Sequence, residues 1–363
     1  MGVKVVHAAD FHLDSAFAAL SAEQAKLRRR ESRDLMERLA NYVNQNEVEI
    51  VLLAGDLFDS DITYRDTIER LVDALGAMSA RVFIAPGNHD FYSAKSPYAT
   101  LHWPENVHIF RTDRIERVEI PELGCTVYGV GFTTPSRTES FLKDFSAEDD
   151  AGIRLMVLHG ELGNPNSSYA PLLREEIAQS GVDYLALGHT HEHSGVLTAG
   201  ETTYAYAGCP EGRGFDELGE KGILAGTVSR GSAEMRFVPF ARRRYEILTV
   251  DVSGKDAETA LRAALPGRTA DDLYRVIFTG ESDERGVDLA RLYERLAPEF
   301  FHLELRDSTR IAEDVWARAE EDSLRGLFLR DLRTQMEGAD EAQREKIVLA
   351  ARYGLAALDG RDL

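Results

Sequence analysis

The sequence predicts an α/β fold, and two patterns carry that expectation. Over the first 245 residues, short apolar runs alternate with amphipathic or loop segments. Acidic residues and histidines then stand directly after most of those runs. VKVV, IVLLA, RVFIA, VYGVG, RLMVL and DYLAL are near-continuous in apolar residues, which is how strands buried on both faces read. Between the first two, Ser21 to Gln45 is rich in Glu, Arg, Leu and Ala with apolar residues at helical spacing, so a crossover helix is expected there. Thr67 to Met78 reads as a second helix.

After about Tyr245 the texture changes to a strand-helix-strand-helix-strand run: RYEILTVDV, AETALRAAL, LYRVIFTG, DLARLYERL and FHLELRD. The expected organisation is a first domain over 1–245, a small α+β domain over 246–308, and a helical tail over 309–363. In the tail, Leu324, Leu327, Phe328 and Leu332 fall at helical spacing, as do Ile347, Leu349, Ala350 and Tyr353. Such a stripe packs on its own domain or docks a partner helix.

Composition narrows the chemistry. With 363 residues, 44% hydrophobic and 29% charged, the chain is suited to a substantial core plus a second domain. No run of about 18 apolar residues occurs, and MGVKVVHAAD meets an acidic position too early for a signal-peptide apolar region. A cytoplasmic protein without membrane association is expected. Cys125 and Cys209 are too few for a thiolate zinc site or a disulfide framework, so a metal must sit on His, Asp and Asn. The net charge of -20 opposes the basic footprint usual in nucleic-acid binders. Only Arg28 to Arg30 and Arg242 to Arg244 form tight basic runs, and solvated helix faces or a domain junction account for them as readily as a polyanion does.

The informative fact is where the acids and histidines fall. VKVVHAAD runs into Asp10 and His12, IVLLAGD into Asp56, RVFIAPGNHD into Asn88, His89 and Asp90, RLMVLHG into His159, and DYLALGHTH into His189 and His191. Loops after parallel strands gather on the carboxyl edge of a sheet, where α/β folds place their sites. Five loops would then converge. The set mixes oxygen and nitrogen donors, which suits Mn²⁺, Fe²⁺ or Zn²⁺ rather than Ca²⁺. Gly55, Gly87 and Gly188 beside these residues imply tight turns and close backbone approach.

The blocks D-x-H (Asp10, His12), G-D-x-x-D (Gly55, Asp56, Asp59), G-N-H-D (Gly87 to Asp90), H-G (His159, Gly160) and G-H-x-H (Gly188 to His191) resemble, in order and spacing, the signatures of the calcineurin-like metallophosphoesterases. That resemblance implies a four-layer αββα sandwich with a centre of two divalent cations. One cation would be held by Asp10, His12 and His191, the other by Asn88, His159 and His189, with Asp56 bridging. A carboxylate is the protein ligand there able to span both. His89 would protonate the leaving oxygen or bind a phosphoryl oxygen, and Asp59 and Asp90 would orient histidines or, equally, cap local turns. HAADFHLDSAF, SSYAPL, GHTHEHSGVL and AGCPEGRGFDELGEKG are similar to the DNA-repair exonuclease branch, particularly its YhaO-type members, although Ala207 stands where that branch often has proline. What this implies is an Mn²⁺-dependent DNA exonuclease with a capping domain after Tyr245 and a tail docking an ABC-type coiled-coil ATPase. A homodimer is left open. The alternatives are a phosphoesterase acting on nucleotides or phosphoproteins, and a non-catalytic scaffold.

Overall fold

A computed structural model describes residues 2–60, 63–148, 151–283, 285–311, 316 and 318–358, so residues 312–315, 317 and 359–363 of the expected tail lie outside the described residues. The chain divides into two compact units, Met1–Arg244 and Tyr245–Leu363.

The first unit is built on two six-stranded sheets. One holds β1 (Val3–Ala8), β2 (Ile50–Leu53), β3 (Arg81–Ile84) and β4 (Val107–Ile109), with β11 (Gly222–Ser229) and β12 (Ser232–Pro239) added antiparallel beside β1 in the order β12-β11-β1-β2-β3-β4. The other holds β5 (Glu116–Ile120), β6 (Cys125–Gly129), β7 (Ile153–His159), β8 (Tyr184–Gly188), β9 (Leu197–Ala199) and β10 (Thr202–Tyr206) in the order β5-β6-β7-β8-β10-β9.

Strand periodicity sorts their side chains into three cores. In β2, Ile50 and Leu52 enter the core shared by the two sheets, while Val51 and Leu53 point the other way. They meet Leu35, Met36 and Leu39 of α1 (Ala22–Gln45) and Leu71 and Leu75 of α2 (Arg65–Gly76). On the second sheet, Leu155 and Val157 face inward, and Met156 and Leu158 join an outer core with Phe132, Phe141 and Ile177. Two of the connecting helices, α3 (Pro97–Thr100) and α4 (Arg174–Gln179), are short. The result is the four-layer sandwich, with one outer layer helical and the other largely loops and α4. Ser21 starts α1 with a capping box, its hydroxyl accepting from Gln24 N while Gln24 reaches back.

One polar contact crosses the apolar layer between the sheets. His7 on β1 is fully buried; its Nε2 donates to Leu187 O at 3.0 Å, and its Nδ1 accepts from the Tyr184 hydroxyl at 2.9 Å. Both partners lie on β8. The pair therefore fixes how β1 and β8 face each other, a few residues before Asp10 and His189.

In the second unit, β13 (Tyr245–Asp251), β14 (Leu273–Thr279) and β16 (His302–Asp307) pair parallel in that order, joined through α5 (Ala257–Ala264) and α6 (Leu289–Leu296). The small domain is thus two βαβ crossovers over one core that includes Leu261, Phe278 and Leu296. A two-stranded ribbon, β15 (Glu281–Ser282) with β17 (Arg310–Ile311), follows. Next come α7 (Leu324–Met336), capped by Ser323, and α8 (Glu341–Leu358). The tail stripe divides differently from expectation. Leu329 and Leu332 pack with Ala351 and Leu355, whereas Leu324 and Leu327 face outward at 68% and 59% exposure. The closest approach of the two helices fixes this rotation: a Cβ on Gly354 would lie 2.1 Å from the Phe328 ring. No helix among the described residues is long and apolar enough to cross a membrane.

Candidate metal centre

Strand register carries the chemistry-bearing loops to one place. Pairing of β1 with β2 continues past both strands through Asp10 N to Gly55 O at 3.0 Å and His12 N to Asp56 O at 3.0 Å. On the second sheet His159 is paired with Gly188, which brings the β7 and β8 loops together. Asp10, His12, Asp56 and His189 all have positive φ, at 55°, 42°, 52° and 109°. Such conformations cost on the order of 1–3 kcal/mol each and cluster where a site over-determines the backbone. Two glycines make room. A Cβ at Gly87 would fall 2.1 Å from Asp56 Oδ1, and one at Gly188 would fall 1.8 Å from Ala54 O.

All seven expected ligands converge. Asp10, His12 and His191 bring donor atoms within 4.8 Å of one another, and so do Asp10, Asp56 and His159. Asp56 Oδ2 lies 3.7 Å from His12 Nε2 and 3.5 Å from His159 Nε2, so this carboxylate stands between the two histidine groups. Asn88 Oδ1 approaches His159 Nε2 at 3.0 Å and His189 Nδ1 at 3.3 Å. The Asp10 carboxylate accepts from His189 N at 3.1 and 3.2 Å.

Proton accounting shows that these groups suit a cation. His159 Nδ1 donates to Ala54 O at 2.9 Å, which uses the only ring proton of a neutral imidazole. Its Nε2 therefore faces the Asn88 carbonyl oxygen lone pair to lone pair. The other group is crowded too: His191 Nδ1 lies 2.7 Å from Glu217 Oε1 and 3.0 Å from Arg213 Nη2, His12 Nδ1 lies 3.2 Å from Asp59 Oδ1, and the two Nε2 atoms stand 3.2 Å apart. Acceptors facing acceptors at such distances repel unless positive charge lies between them. Burial lowers His12, His159 and His189 to about 4, keeping the rings neutral and able to ligate at neutral pH. Burial, and then the neighbouring Asp56 carboxylate, raise Asp10 well above the usual range. Divalent cations would relieve that cost, and the donor set fits them.

His89 and Asp59 sit at the open side. His89 is exposed, its ring 4.9 Å edge-on from His12, its N donating to Asp56 Oδ1 at 3.0 Å and its Nδ1 donating to Asp59 O at 3.2 Å. That leaves Nε2 free. Asp90 takes the turn-capping alternative. Its buried carboxylate accepts from the backbone N–H groups of Leu57 and Gly87 at 2.7 and 2.8 Å and from the Tyr98 hydroxyl at 2.6 Å, with none of its hydrogen bonds going to an imidazole. Asp90 ties the β2 and β3 loops together because several backbone donors there have no other partner.

Three residues of the site escaped the sequence reading. Glu217 and Arg213 lie beside His191, and Lys221 Nζ donates to His191 O at 3.2 Å. Burial pushes Glu217 up, but hydrogen bonds from His191 and Arg213 outweigh it and hold the carboxyl well below the usual range. The signal available was the density of charge in the glycine-rich block EGRGFDELGEK. The two arginine runs, by contrast, are largely spent inside the protein. Arg28 is fully buried against Glu31, Glu211 and Gly212 O, Arg243 pairs with Glu31, Arg244 with Glu220, and Arg29 donates to Ala16 O.

The fold and this geometry agree with what the chain is similar to. A family model for calcineurin-like phosphoesterases matches residues 3–193, which takes in all seven converging ligands. Over 267 residues the chain is 30% identical to the uncharacterized metallophosphoesterase YhaO of Bacillus subtilis strain 168, covering 70% of this chain. The match spans 65% of the length of that relative. The chain belongs to the calcineurin-like phosphoesterase family, whose members typically bind two divalent metals.

Proposed function

We propose that the protein is a two-cation phosphodiesterase whose substrate is DNA, acting as an exonuclease in DNA repair in the cytoplasm. The observation that carries the hydrolytic part is the pair of close donor-atom contacts, His12 with His191 and His159 with Asn88, on either side of Asp56. Asp10, His12 and His191 would hold one ion, and Asn88, His159 and His189 the other, with Asp56 shared. Mn²⁺ is the ion proposed, ahead of Fe²⁺ and Zn²⁺. Two such ions lower the pKa of a shared water and neutralise the phosphoryl oxygens. The chain's own contribution is positional. The positive-φ loops hold the ligands, Asp56 fixes the His89 backbone, and His89, whose Nδ1 proton goes to Asp59 O, would donate from Nε2 to the leaving oxygen as an imidazolium. The DNA assignment rests on the local wording of the site loops. An ABC-type coiled-coil ATPase is the proposed partner, with exposed Leu324 and Leu327 of α7 as its contact.

A specific observation favours a second reading, a phosphoesterase of nucleotides or phosphoproteins: the net charge is -20 and both arginine runs are mostly paired internally. Assaying linear DNA, a cyclic nucleotide and a phosphomonoester side by side with Mn²⁺ separates the two. Turnover of DNA above the others supports the nuclease. Turnover confined to the small substrates contradicts it.

A further inference from the structure

The two donor groups are anchored by different means. His159 is steered by a backbone carbonyl that belongs to the end of β2, so its anchor is as firm as the sheet. His12 and His191 instead end on one chain of side-chain ion pairs. His191 Nδ1 meets Glu217 Oε1 at 2.7 Å; Arg213 donates from Nη2 to that same oxygen at 2.7 Å and from its backbone N to Oε2 at 2.7 Å. The other end of the guanidinium, Nη1, lies 3.2 Å from Asp59 Oδ1, and that oxygen is 3.2 Å from His12 Nδ1. Negative, positive and negative groups thus alternate from one imidazole to the other. Glu217 is 4% exposed, so removing its charge leaves Arg213 with Asp59 alone and His191 without its carboxylate.

We infer that Glu217 and Arg213, with Asp59, are positioning residues for one cation position alone, the one formed by Asp10, His12 and His191. The inference rests on the two-cation reading above. Glu217 and Arg213 together hold the Nδ1 edge of His191 so that Nε2 turns to the site, and Arg213 holds Glu217 and Asp59 at a fixed separation so that both rings aim at one point. The position formed by Asn88, His159 and His189 uses none of these groups. Its affinity is therefore independent of the chain of ion pairs, and the two ions load with separable affinities.

The test is calorimetric titration of Mn²⁺ alone into the full metal-free chain, with thermal melts in chelator to confirm folding. The wild type should take up two ions. Glu217→Gln should weaken one of the two binding events by about 10- to 100-fold and leave the other within error. Asp59→Asn approaches the same position from the half-exposed end, where loss of fold is not expected, and should weaken the same event. The magnetic coupling between paired Mn²⁺ ions in electron paramagnetic resonance should then vanish at one ion per chain. Equal weakening of both events, or no change in either variant, would overturn the inference while leaving the two-cation reading in place. A wild-type chain that binds fewer than two ions would overturn that reading, and this inference with it.

Discussion

His159 and His191 follow neighbouring strands of the same sheet, and each offers Nε2 to the site, but they are held in opposite ways. His159 is fully buried and donates to Ala54 O, whereas His191 is partly exposed and its Nδ1 meets a carboxylate carried on a loop. A carbonyl at a strand end has little freedom once the sheet forms. A loop carboxylate has to be held in turn, and here Arg213 does it. Metal sites in this fold can thus combine a half set by backbone and a half set by side chains, and only the second is open to adjustment by substitution of surface-near residues.

The largest effect is expected where the two halves meet. Asp56→Ala should reduce hydrolysis to background and empty both positions, because it removes the carboxylate between His12 and His159. Metal analysis of the purified variant checks this; two retained ions with near-normal activity would mean the halves do not share Asp56. Next in size is His89→Ala, which removes none of the seven ligands assigned to the two halves although its ring stands beside His12 and Asp56. Turnover should fall by about 10² to 10⁴-fold with metal content preserved. A substrate with a good leaving group should recover most of that loss, and equal impairment on both substrates would exclude a proton-donor role.

Gly55→Ala probes the backbone-anchored half. Gly55 has φ +86°, and a Cβ there would lie 2.6 Å from His159 Nδ1, displacing the ring from Ala54 O. Folding stability should drop by about 1–3 kcal/mol for the forced conformation, and the weakened ion should be the one that the Glu217 variant spares. Titration of both variants side by side reads this directly, and weakening of the same ion in both would erase the distinction.

The effect on the site itself is smallest for pH, which acts on the stability of the whole fold. His7 is held at about 3 and His159 at about 4 by burial, both below the value of about 6.5 for an exposed ring. As pH falls below 6.5 the unfolded chain takes up protons that these folded rings refuse, so stability is lost downward through that window. Each such ring contributes a slope of about 1.4 kcal/mol per pH unit until its folded value is reached. Asp10, raised by burial and Asp56, acts with the opposite sign, since it protonates in the folded state first. In chelator, His7→Gln should flatten the fall in melting temperature between pH 6.5 and 4; an unchanged slope would mean His7 does not stay neutral.

What was legible in the sequence follows from the same contrast. Strands, α1, α2 and the ligand loops were readable because continuous apolar runs and D-x-H or G-H-x-H spacings are local patterns. The Ala54 carbonyl was not, since every residue has one and only register shows which imidazole it meets. Glu217 and Arg213 were visible as charges but lie 26 and 22 residues from His191, and nothing local ties a loop carboxylate to a distant ring. Spacing could not choose between orienting a histidine and capping a turn for Asp90, because its partners are backbone N–H groups of its own loop and of the β2 loop and the Tyr98 hydroxyl, which only the folded chain brings together. The tail stripe was legible only in part: spacing marks a helix face, but what covers it is not a local property, and Leu332 packs on its own chain while Leu324 and Leu327 stay exposed.

The most direct measurement is anomalous diffraction from a crystal of the full chain soaked in Mn²⁺. Two peaks are expected, about 3.5–4 Å apart, one within reach of Asp10, His12 and His191 and the other within reach of Asn88, His159 and His189, with Asp56 oxygen atoms touching both. A single peak, or two peaks that share no contact with Asp56, would contradict the reading of this site as a dinuclear centre.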